Sequence, residues 1–89
     1  MTSQYSLSYH ALIVDAASID DKTPDDALVT IDAAAAFTDH SVGTLRQYRG
    51  EGKGPLSFLR SGRIVYRLGD LRAYERARYT ASVRGGSLT

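Results

Sequence analysis

Cysteine is absent from the 89-residue chain, and no apolar run approaches the length of a membrane span. Without cysteine the chain can hold neither a disulfide framework nor a thiolate metal site, which fits a reducing compartment. A transmembrane helix needs about 20 consecutive apolar residues, and the N-terminus lacks the basic and apolar segments of a signal peptide. We therefore expect a cytoplasmic protein with no membrane partner.

The chain is also too short for a two-domain enzyme, because a single hydrophobic core usually needs on the order of 100 residues. Its residues are 43% hydrophobic and 24% charged, which is ordinary for a globular domain. We therefore expect one small domain at most.

Charge of one sign is scarce in each half of the chain. Residues 1–40 contain Lys22 as their single basic residue against seven aspartates, a net charge of −6. Residues 41–89 contain ten Arg and Lys residues against three acids, a net charge of +7. A basic surface on a small domain most often binds nucleic acid. Solvated charge without a partner is the alternative interpretation, and composition alone favours neither.

Residues 1–27 have the composition of a flexible acidic N-terminal arm. An apolar stretch, "ALIV" at 11–14, is followed by the segment "SIDDKTPDDA" at 18–27 with its four aspartates and one proline. Low hydrophobicity and high charge predict disorder or a linker there. The apolar stretch is a candidate strand that would pair with another subunit. We expect the arm to contact a neighbouring protomer or to screen the basic surface.

The domain itself is predicted over residues 28–79, beginning with a short helix. Thr30 is a suitable N-cap for a helix at 31–37, and four consecutive alanines give that helix strong propensity and a thin profile. The tripeptide "TDH" that follows predicts a tight turn, in which Asp39 tolerates an unusual backbone conformation.

A second helix is predicted from Val42 to about Gly50, with Ser41 as its N-cap. At 100° per residue its apolar side chains fall on one arc and face the core. That arc consists of Val42, Leu45 and Tyr48. Arg49 lies towards the buried edge, so we expect its side chain to extend along the rim. The segment "GEGKGP" ends the helix and turns the chain.

Two short apolar runs follow, at 56–59 and 64–68, joined by a hairpin turn at Ser61-Gly62. Leucine and tyrosine then recur at helical spacing, which predicts a last helix that ends near Tyr79, and residues 80–89 are expected to form a flexible C-terminal tail. The order of helix, turn, helix, wing and helix predicts a mainly α fold with a small β-hairpin, the winged helix-turn-helix.

The pattern "TLRQYRGEGKGP…GRIVYRLGDLRAY" resembles the small winged-helix proteins of the excisionase, or recombination directionality factor, family, whose fold is related to the DNA-binding domain of MerR-type regulators. The resemblance covers about residues 28–79. It places the recognition helix at 44–49, the turn into the wing at 52–55, the wing at 62–67 and the final helix from Asp70. Two positions depart from the family pattern, because Ala33 stands where many members have Glu and Asp39 where Gly is common.

The resemblance implies double-stranded DNA as the partner and a location in the bacterial or phage nucleoid. Members of the family bind DNA near attachment sites of mobile elements, bend it and bias a site-specific integrase towards excision, and several self-associate along DNA. It implies no cofactor, and we expect no small-molecule ligand.

Side chains on the outer face of the second helix are the predicted base contacts. Arg46 would bind guanine O6 and N7, and Gln47 would bind adenine N6 and N7. Thr44 would contact a phosphate or a thymine methyl group, and Gly43 would allow close approach. The full set predicted on this helix is Ser41, Gly43, Thr44, Arg46, Gln47 and Arg49.

The hairpin supplies the second group of predicted contacts. Arg60 and Arg63 flank a glycine-containing tip that suits a narrow minor groove, although charged edges also serve to prevent strand aggregation. Phosphate contacts are predicted for Lys53, Arg49 and Arg67. The predicted wing and phosphate set is Lys53, Arg60, Ser61, Arg63 and Arg67. The arginines of the last helix are equally well explained as solvated charges.

Enzymatic interpretations have little support in the sequence. The phosphate-loop pattern requires Ser or Thr after the lysine, whereas Gly54 follows Lys53. His10 and His40 lack the spaced partners of a metal site, and the paired aspartates lie in a segment predicted to be mobile. We therefore expect no catalytic residues, no metal and no cofactor.

Two alternatives to a recombination directionality factor stay open. One is a small winged-helix transcriptional regulator, although only ten residues follow Tyr79 and we expect no sensor domain. The other is a protein-interaction module whose basic face binds an acidic partner without DNA.

Overall fold

The computed structural model describes residues 13–14 and 18–86, and this part of the chain forms a mixed α/β unit of three helices and one sheet. The elements in chain order are β1 Ile13–Val14, β2 Leu28–Thr30, α1 Ile31–Thr38, α2 Val42–Gly50, β3 Phe58–Arg60, β4 Arg63–Arg67 and α3 Leu68–Ser82. The strands lie in the order β1-β2-β4-β3, with β1 parallel to β2 and the other pairs antiparallel.

Helix α1 begins at the predicted cap and ends one residue later than predicted. The Thr30 hydroxyl accepts a hydrogen bond from the Ala33 amide at 3.3 Å, and Asp32 lies in the first turn, where the helix dipole favours an anion. Asp39 adopts the left-handed conformation, with φ 59°, and ends the helix. The prediction of a tight turn with an unusual backbone angle at Asp39 is therefore confirmed.

Helix α2 has the predicted bounds and the predicted cap. The Ser41 hydroxyl accepts from the Thr44 amide at 3.0 Å. Leu45 is 1% exposed, whereas Val42 and Tyr48 are half-buried. After Gly50 the chain turns back, and the Lys53 amide donates to the Tyr48 carbonyl at 2.7 Å. The arc of apolar side chains thus faces the core, as the helical spacing predicts.

The hairpin has the predicted turn, but its strands are shifted. Ser61 and Gly62 both have positive φ, 50° and 77°, which is the geometry of a two-residue type I′ turn. The strands cover 58–60 and 63–67 rather than the predicted 56–59 and 64–68. Leu56 therefore precedes the sheet and is 72% exposed, while Leu68 begins α3 and is buried.

Strand β2 is an element that the sequence prediction lacks. Leu28–Thr30 pairs with β4, which places Leu28 opposite Arg67 and Thr30 opposite Val65. A mainly α fold with a hairpin is therefore too simple a description, because the hairpin is extended into a sheet. Three residues are too few to show the alternation of apolar and polar side chains that predicts a strand. Their partner strand also lies more than 30 residues further along the chain.

The apolar stretch near the N-terminus forms β1, but its partner is in the same chain. Ile13 lies opposite Leu28 and Val14 opposite Val29 in a parallel pair with β2. One edge of this strand is therefore paired within the chain, and pairing with another subunit stays a prediction. The remainder of 1–17 lies outside the described residues.

Residues 18–27, expected to be disordered or a linker, lie against α3. Arg72 donates to an Asp25 carboxylate oxygen at 2.6 Å and to the Asp20 carbonyl at 2.8 Å. Ala27 is buried and Ile19 packs against the core. The prediction from local composition failed here because the contacts that order the segment come from residues about 50 positions away.

The same segment caps α3, which has no side-chain N-cap. The amides of Leu68 and Gly69 donate to the carbonyls of Ala27 and Asp25, each at 2.8 Å. These are two of the amides that a helix leaves without an internal partner. Helix α3 continues to Ser82, three residues beyond the predicted end, so the first residues of the predicted tail are helical.

The core joins both short helices to the sheet and to α3. Its most buried large side chains come from four elements, which fixes α2 relative to the hairpin. These side chains are Val29, Leu45, Tyr66, Leu68 and Leu71.

Candidate nucleic-acid interface

The exposed face of α2 carries the side chains that the sequence assigned to base contacts. Gly43, Arg46 and Gln47 are exposed, and Thr44 is half-buried. Because Leu45 is anchored in the core, this face points away from the molecule. The hydroxyl of Ser41 donates to Thr44 Oγ1 at 2.9 Å in addition to capping the helix, so both hydroxyls belong to the cap.

Arg46 and the hairpin tip line one groove of about 430 Å³. Arg46 comes from α2 and Arg63 from the tip, so the fold brings together two cations that are 17 residues apart. Leu59, which is 59% exposed, lies in the same groove, and Asp32 lines its α1 side. The complete lining is Thr30, Ile31, Asp32, Arg46, Leu59, Gly62, Arg63 and Ile64.

Gln47, Glu51 and Lys53 form a polar cluster at the C-terminal end of α2. Gln47 Nε2 donates to Glu51 Oε2 at 3.1 Å, and Lys53 Nζ lies 3.5 Å from Glu51 Oε1. The hydrogen bond from Gln47 lowers the pKa of the Glu51 carboxyl, burial opposes that effect, and the charge of Lys53 adds a smaller lowering. Lys53 Nζ also lies 5.3 Å from the centre of the Tyr48 ring. Two predicted DNA contacts thus share an anion.

Arg49 is turned towards the protein rather than outward. Its guanidinium donates to Ser57 Oγ at 2.8 Å and to the Ser57 carbonyl at 3.4 Å, and the side chain is half-buried. It ties α2 to the segment before β3. Its position along the rim agrees with the helical arc, and the contacts with Ser57 limit it to the edge of the exposed face.

Tyr66 is the buried tyrosine behind this face. Burial raises the pKa of its phenol above 10.0, and the positive charges of Arg49 and Arg46 oppose the rise. Both arginines therefore favour the ionised form of this phenol, but burial has the larger effect.

The remaining predicted contacts lie at two places, the hairpin tip and the far end of β4. Ser61 and Arg63 are exposed at the tip, and Arg60, half-buried, lies opposite Arg63 in the strand register. Arg67 is exposed but pairs with Leu28 at the far end of β4, roughly 14 Å from Arg63 at about 3.4 Å per residue. The structure therefore places Arg60, Ser61 and Arg63 together at the hairpin tip, of which Arg63 shares the groove with Arg46, and leaves Arg67 apart.

Two arginines of α3 bind within the chain. Arg72 binds the segment 18–27, and Arg78 donates to the Thr38 carbonyl at 2.8 Å and to the Glu75 carboxylate. Arg76 is exposed. Arg72 and Arg78 are therefore structural cations. Arg76 keeps both interpretations that the sequence left open, solvated charge and DNA contact.

The sequence interpretation missed Glu51, Asp32 and Leu59 as members of this surface. Gln47 and Glu51 are four residues apart, which places side chains on the same face of a helix and was a usable signal. Asp32 and Leu59 reach the groove through the packing of α1 and the hairpin against α2, for which the sequence offers no local signal.

The described part of the chain contains no cluster of three or more metal-ligating side chains and no helix long and apolar enough to cross a membrane. His40 instead joins the helices, with Nε2 3.0 Å from the Tyr74 hydroxyl and its ring edge-on to Tyr48. His10 lies outside the described residues.

The chain matches no protein-family model, and neither a curated protein nor a solved structure is significantly similar to it. The surface must therefore be interpreted from its own geometry and charge.

Proposed function

We propose that the chain is a winged helix-turn-helix DNA-binding protein that acts as a recombination directionality factor. In this proposal α2 is the recognition helix, the hairpin of β3 and β4 is the wing, and duplex DNA bends around both. The protein binds near attachment sites, self-associates along the DNA and biases a site-specific integrase towards excision. The observation that carries the DNA-binding part is the shared groove of Arg46 and Arg63 beside the exposed face of α2.

The division of labour within this surface follows from side-chain chemistry. Arg46 and Gln47 stand on the exposed helix face, and their planar groups pair with guanine and adenine edges in a major groove. Arg60 and Arg63 flank the hairpin tip, which suits the negative potential of an adjacent minor groove. Lys53 and the turn after α2 supply phosphate contacts, which add affinity without reading sequence.

Salt dependence tests the proposal directly. Each phosphate that a lysine or arginine neutralises releases counterions, so the logarithm of the association constant should fall steeply as the logarithm of salt concentration rises. The measurement is fluorescence anisotropy of labelled duplexes titrated with the full chain at several salt concentrations. A flat dependence, or no binding to any duplex at physiological salt, contradicts DNA binding.

Replacing Arg46 tests the recognition helix. Arg46→Ala should weaken binding to the preferred site and relax the preference for guanine at one position, by about 1–3 kcal/mol. Arg76→Ala removes the same charge from an exposed position on α3 and is the matched control. Equal losses in the two variants would show that the net charge matters and that α2 reads no base.

The role in recombination needs a separate test. An integrase and its attachment sites should yield more excision product when the wild-type chain is added, and Arg46→Ala should remove this stimulation. If the chain binds duplex DNA specifically but leaves excision unchanged, the recombination part of the proposal is wrong and the DNA-binding part stands.

A second candidate, a protein-interaction module, is favoured by one observation. Leu56, Phe58 and Leu59 are exposed on or just before β3, which is an edge of the sheet. Exposed apolar side chains on an edge strand suit contact with another chain. The two candidates are separated by the salt titration above, because a module without DNA binding shifts no duplex.

A further inference from the structure

Glu51 occupies a position in the basic half of the chain where the helix dipole disfavours an acid. Residues 41–89 contain three acids. Asp70 lies in the first turn of α3, where the dipole favours it, and Glu75 accepts from Arg78 within the same helix. Glu51 instead follows the last residue of α2, where the helix dipole disfavours an anion. The helix dipole therefore does not account for an acid at this position.

The contacts of Glu51 are with two side chains of the proposed DNA surface. One carboxylate oxygen accepts from Gln47 Nε2 at 3.1 Å, and the other lies 3.5 Å from Lys53 Nζ. An exposed glutamate is a carboxylate at neutral pH, and these contacts lower its pKa further.

A carboxylate determines which way the Gln47 amide faces. It only accepts hydrogen bonds, so the amide nitrogen must face Glu51 and the amide oxygen must face away. The amide nitrogen has two protons, and it donates one of them to Glu51. The other proton and the amide oxygen share the opposite edge, and that edge matches N7 and N6 of adenine.

The same carboxylate also repels DNA phosphates, since it is exposed beside the surface that would contact them. Repulsion weakens binding to every duplex. Only a cognate base pair accepts and donates the hydrogen bonds of the Gln47 amide, and those bonds offset part of the loss. An acid in this place therefore lowers non-cognate affinity more than cognate affinity.

We propose that Glu51 is a positioning residue that orients the Gln47 amide for adenine in the major groove and suppresses binding to non-cognate duplex. The proposal rests on the proposed DNA-binding function. It names adenine as the base read by the C-terminal part of α2.

The test begins with selection of preferred sites from random duplexes by the full wild-type chain. Affinities are then measured for the preferred site, for duplexes in which each A·T pair is changed to G·C, and for a scrambled duplex. Glu51→Ala should reduce the preference for adenine at one position by roughly tenfold and should tighten binding to the scrambled duplex. Asp21→Ala removes the same charge from an exposed position in the segment 18–27 and is the matched control.

Two further variants separate orientation from charge. Glu51→Gln removes the charge but keeps an acceptor, so it should bind the scrambled duplex as tightly as Glu51→Ala while keeping more of the adenine preference. Gln47→Ala should lose the same preference, and adding Glu51→Ala to it should cause no further loss of the preference.

The inference is overturned if Glu51→Ala keeps the adenine preference, if Asp21→Ala loses it equally, or if the losses of Gln47→Ala and Glu51→Ala are additive. A wild-type chain that binds duplexes without sequence preference also overturns it, while leaving non-specific DNA binding in place. A wild-type chain that binds no duplex removes the proposed function itself.

Discussion

The arginines of the basic half have different roles, although each adds the same charge to the composition. Arg46 lines a groove with the hairpin tip, Arg49 binds Ser57, Arg72 binds the segment 18–27 and Arg78 binds Thr38. The charge count suggested one basic surface, and the structure divides it into outward-facing and structural cations. Only the packing of the elements assigns each guanidinium to one group, because the same side chain suits both.

Tyr66 gives a prediction about alkaline stability. Burial raises the pKa of its phenol above 10.0 in the folded chain, so the folded form holds the proton more tightly than the unfolded form. Its contribution to the free energy of unfolding is complete below about pH 10 and is lost as pH rises through the folded pKa. Tyr66→Phe should therefore unfold less readily between about pH 10 and 12 than the wild type.

The measurement is denaturant unfolding of both chains at several pH values, with tyrosinate absorbance recorded in parallel. The difference between the wild-type and Tyr66→Phe titrations should show one phenol whose pKa lies above the ordinary value of a tyrosine. A difference spectrum that titrates at the ordinary pKa of tyrosine would contradict the effect of burial.

At the scale of elements, local signals were sufficient for the helices and insufficient for the sheet. The caps at Thr30 and Ser41, the left-handed turn at Asp39 and the tip at Ser61-Gly62 were all predicted and are all observed. Each depends on side-chain chemistry within four residues. Strand β2, by contrast, exists only because β4 pairs with it.

The cap of α2 gives a prediction at this scale. Ser41→Ala removes the acceptor for the Thr44 amide and the donor to Thr44 Oγ1, and it should lower the free energy of unfolding by about 1 kcal/mol. Ser41→Asn keeps a capping oxygen and should restore most of the loss. Chemical denaturation measures both variants, and equal destabilisation by the two would show that the cap hydrogen bond is unimportant.

At the scale of the whole molecule, the acidic segment belongs to the same folded unit as the basic half. Its backbone carbonyls cap α3, and its position depends on a close approach at Gly69, where a methyl group would lie 2.9 Å from Asp25 Cβ. The opposite charges of the two halves therefore meet in part within the fold, through Arg72 and Asp25.

Gly69→Ala tests this arrangement. Two opposing effects determine how it changes the free energy of unfolding. Alanine favours a helix over glycine by about 1 kcal/mol, yet the added methyl group must displace residues 18–27 from α3. Such overpacking costs roughly 1–3 kcal/mol, so we expect net destabilisation. Gly50→Ala is the matched control, since a methyl group there meets no atom within 4 Å, and it should be neutral or stabilising.

Thermal and denaturant unfolding measure both glycine variants. Protection of the Leu68 and Gly69 amides from hydrogen exchange reports on the cap directly and should fall in Gly69→Ala. A stabilised Gly69→Ala variant with unchanged protection would show that residues 18–27 do not depend on this contact.

The sequence alone determined the elements whose interactions are local: three helices, a tight turn, a hairpin tip and an outward face of α2 that carries Arg46 and Gln47. It did so because caps, turns and helical arcs are set by neighbours within about four residues. Tertiary structure alone decided the pairing of β1 and β2, the capping of α3 by residues 18–27 and the meeting of Arg46 with Arg63. Those contacts join residues far apart in the chain, and their geometry follows from how the elements pack around Leu45, Tyr66 and Leu71.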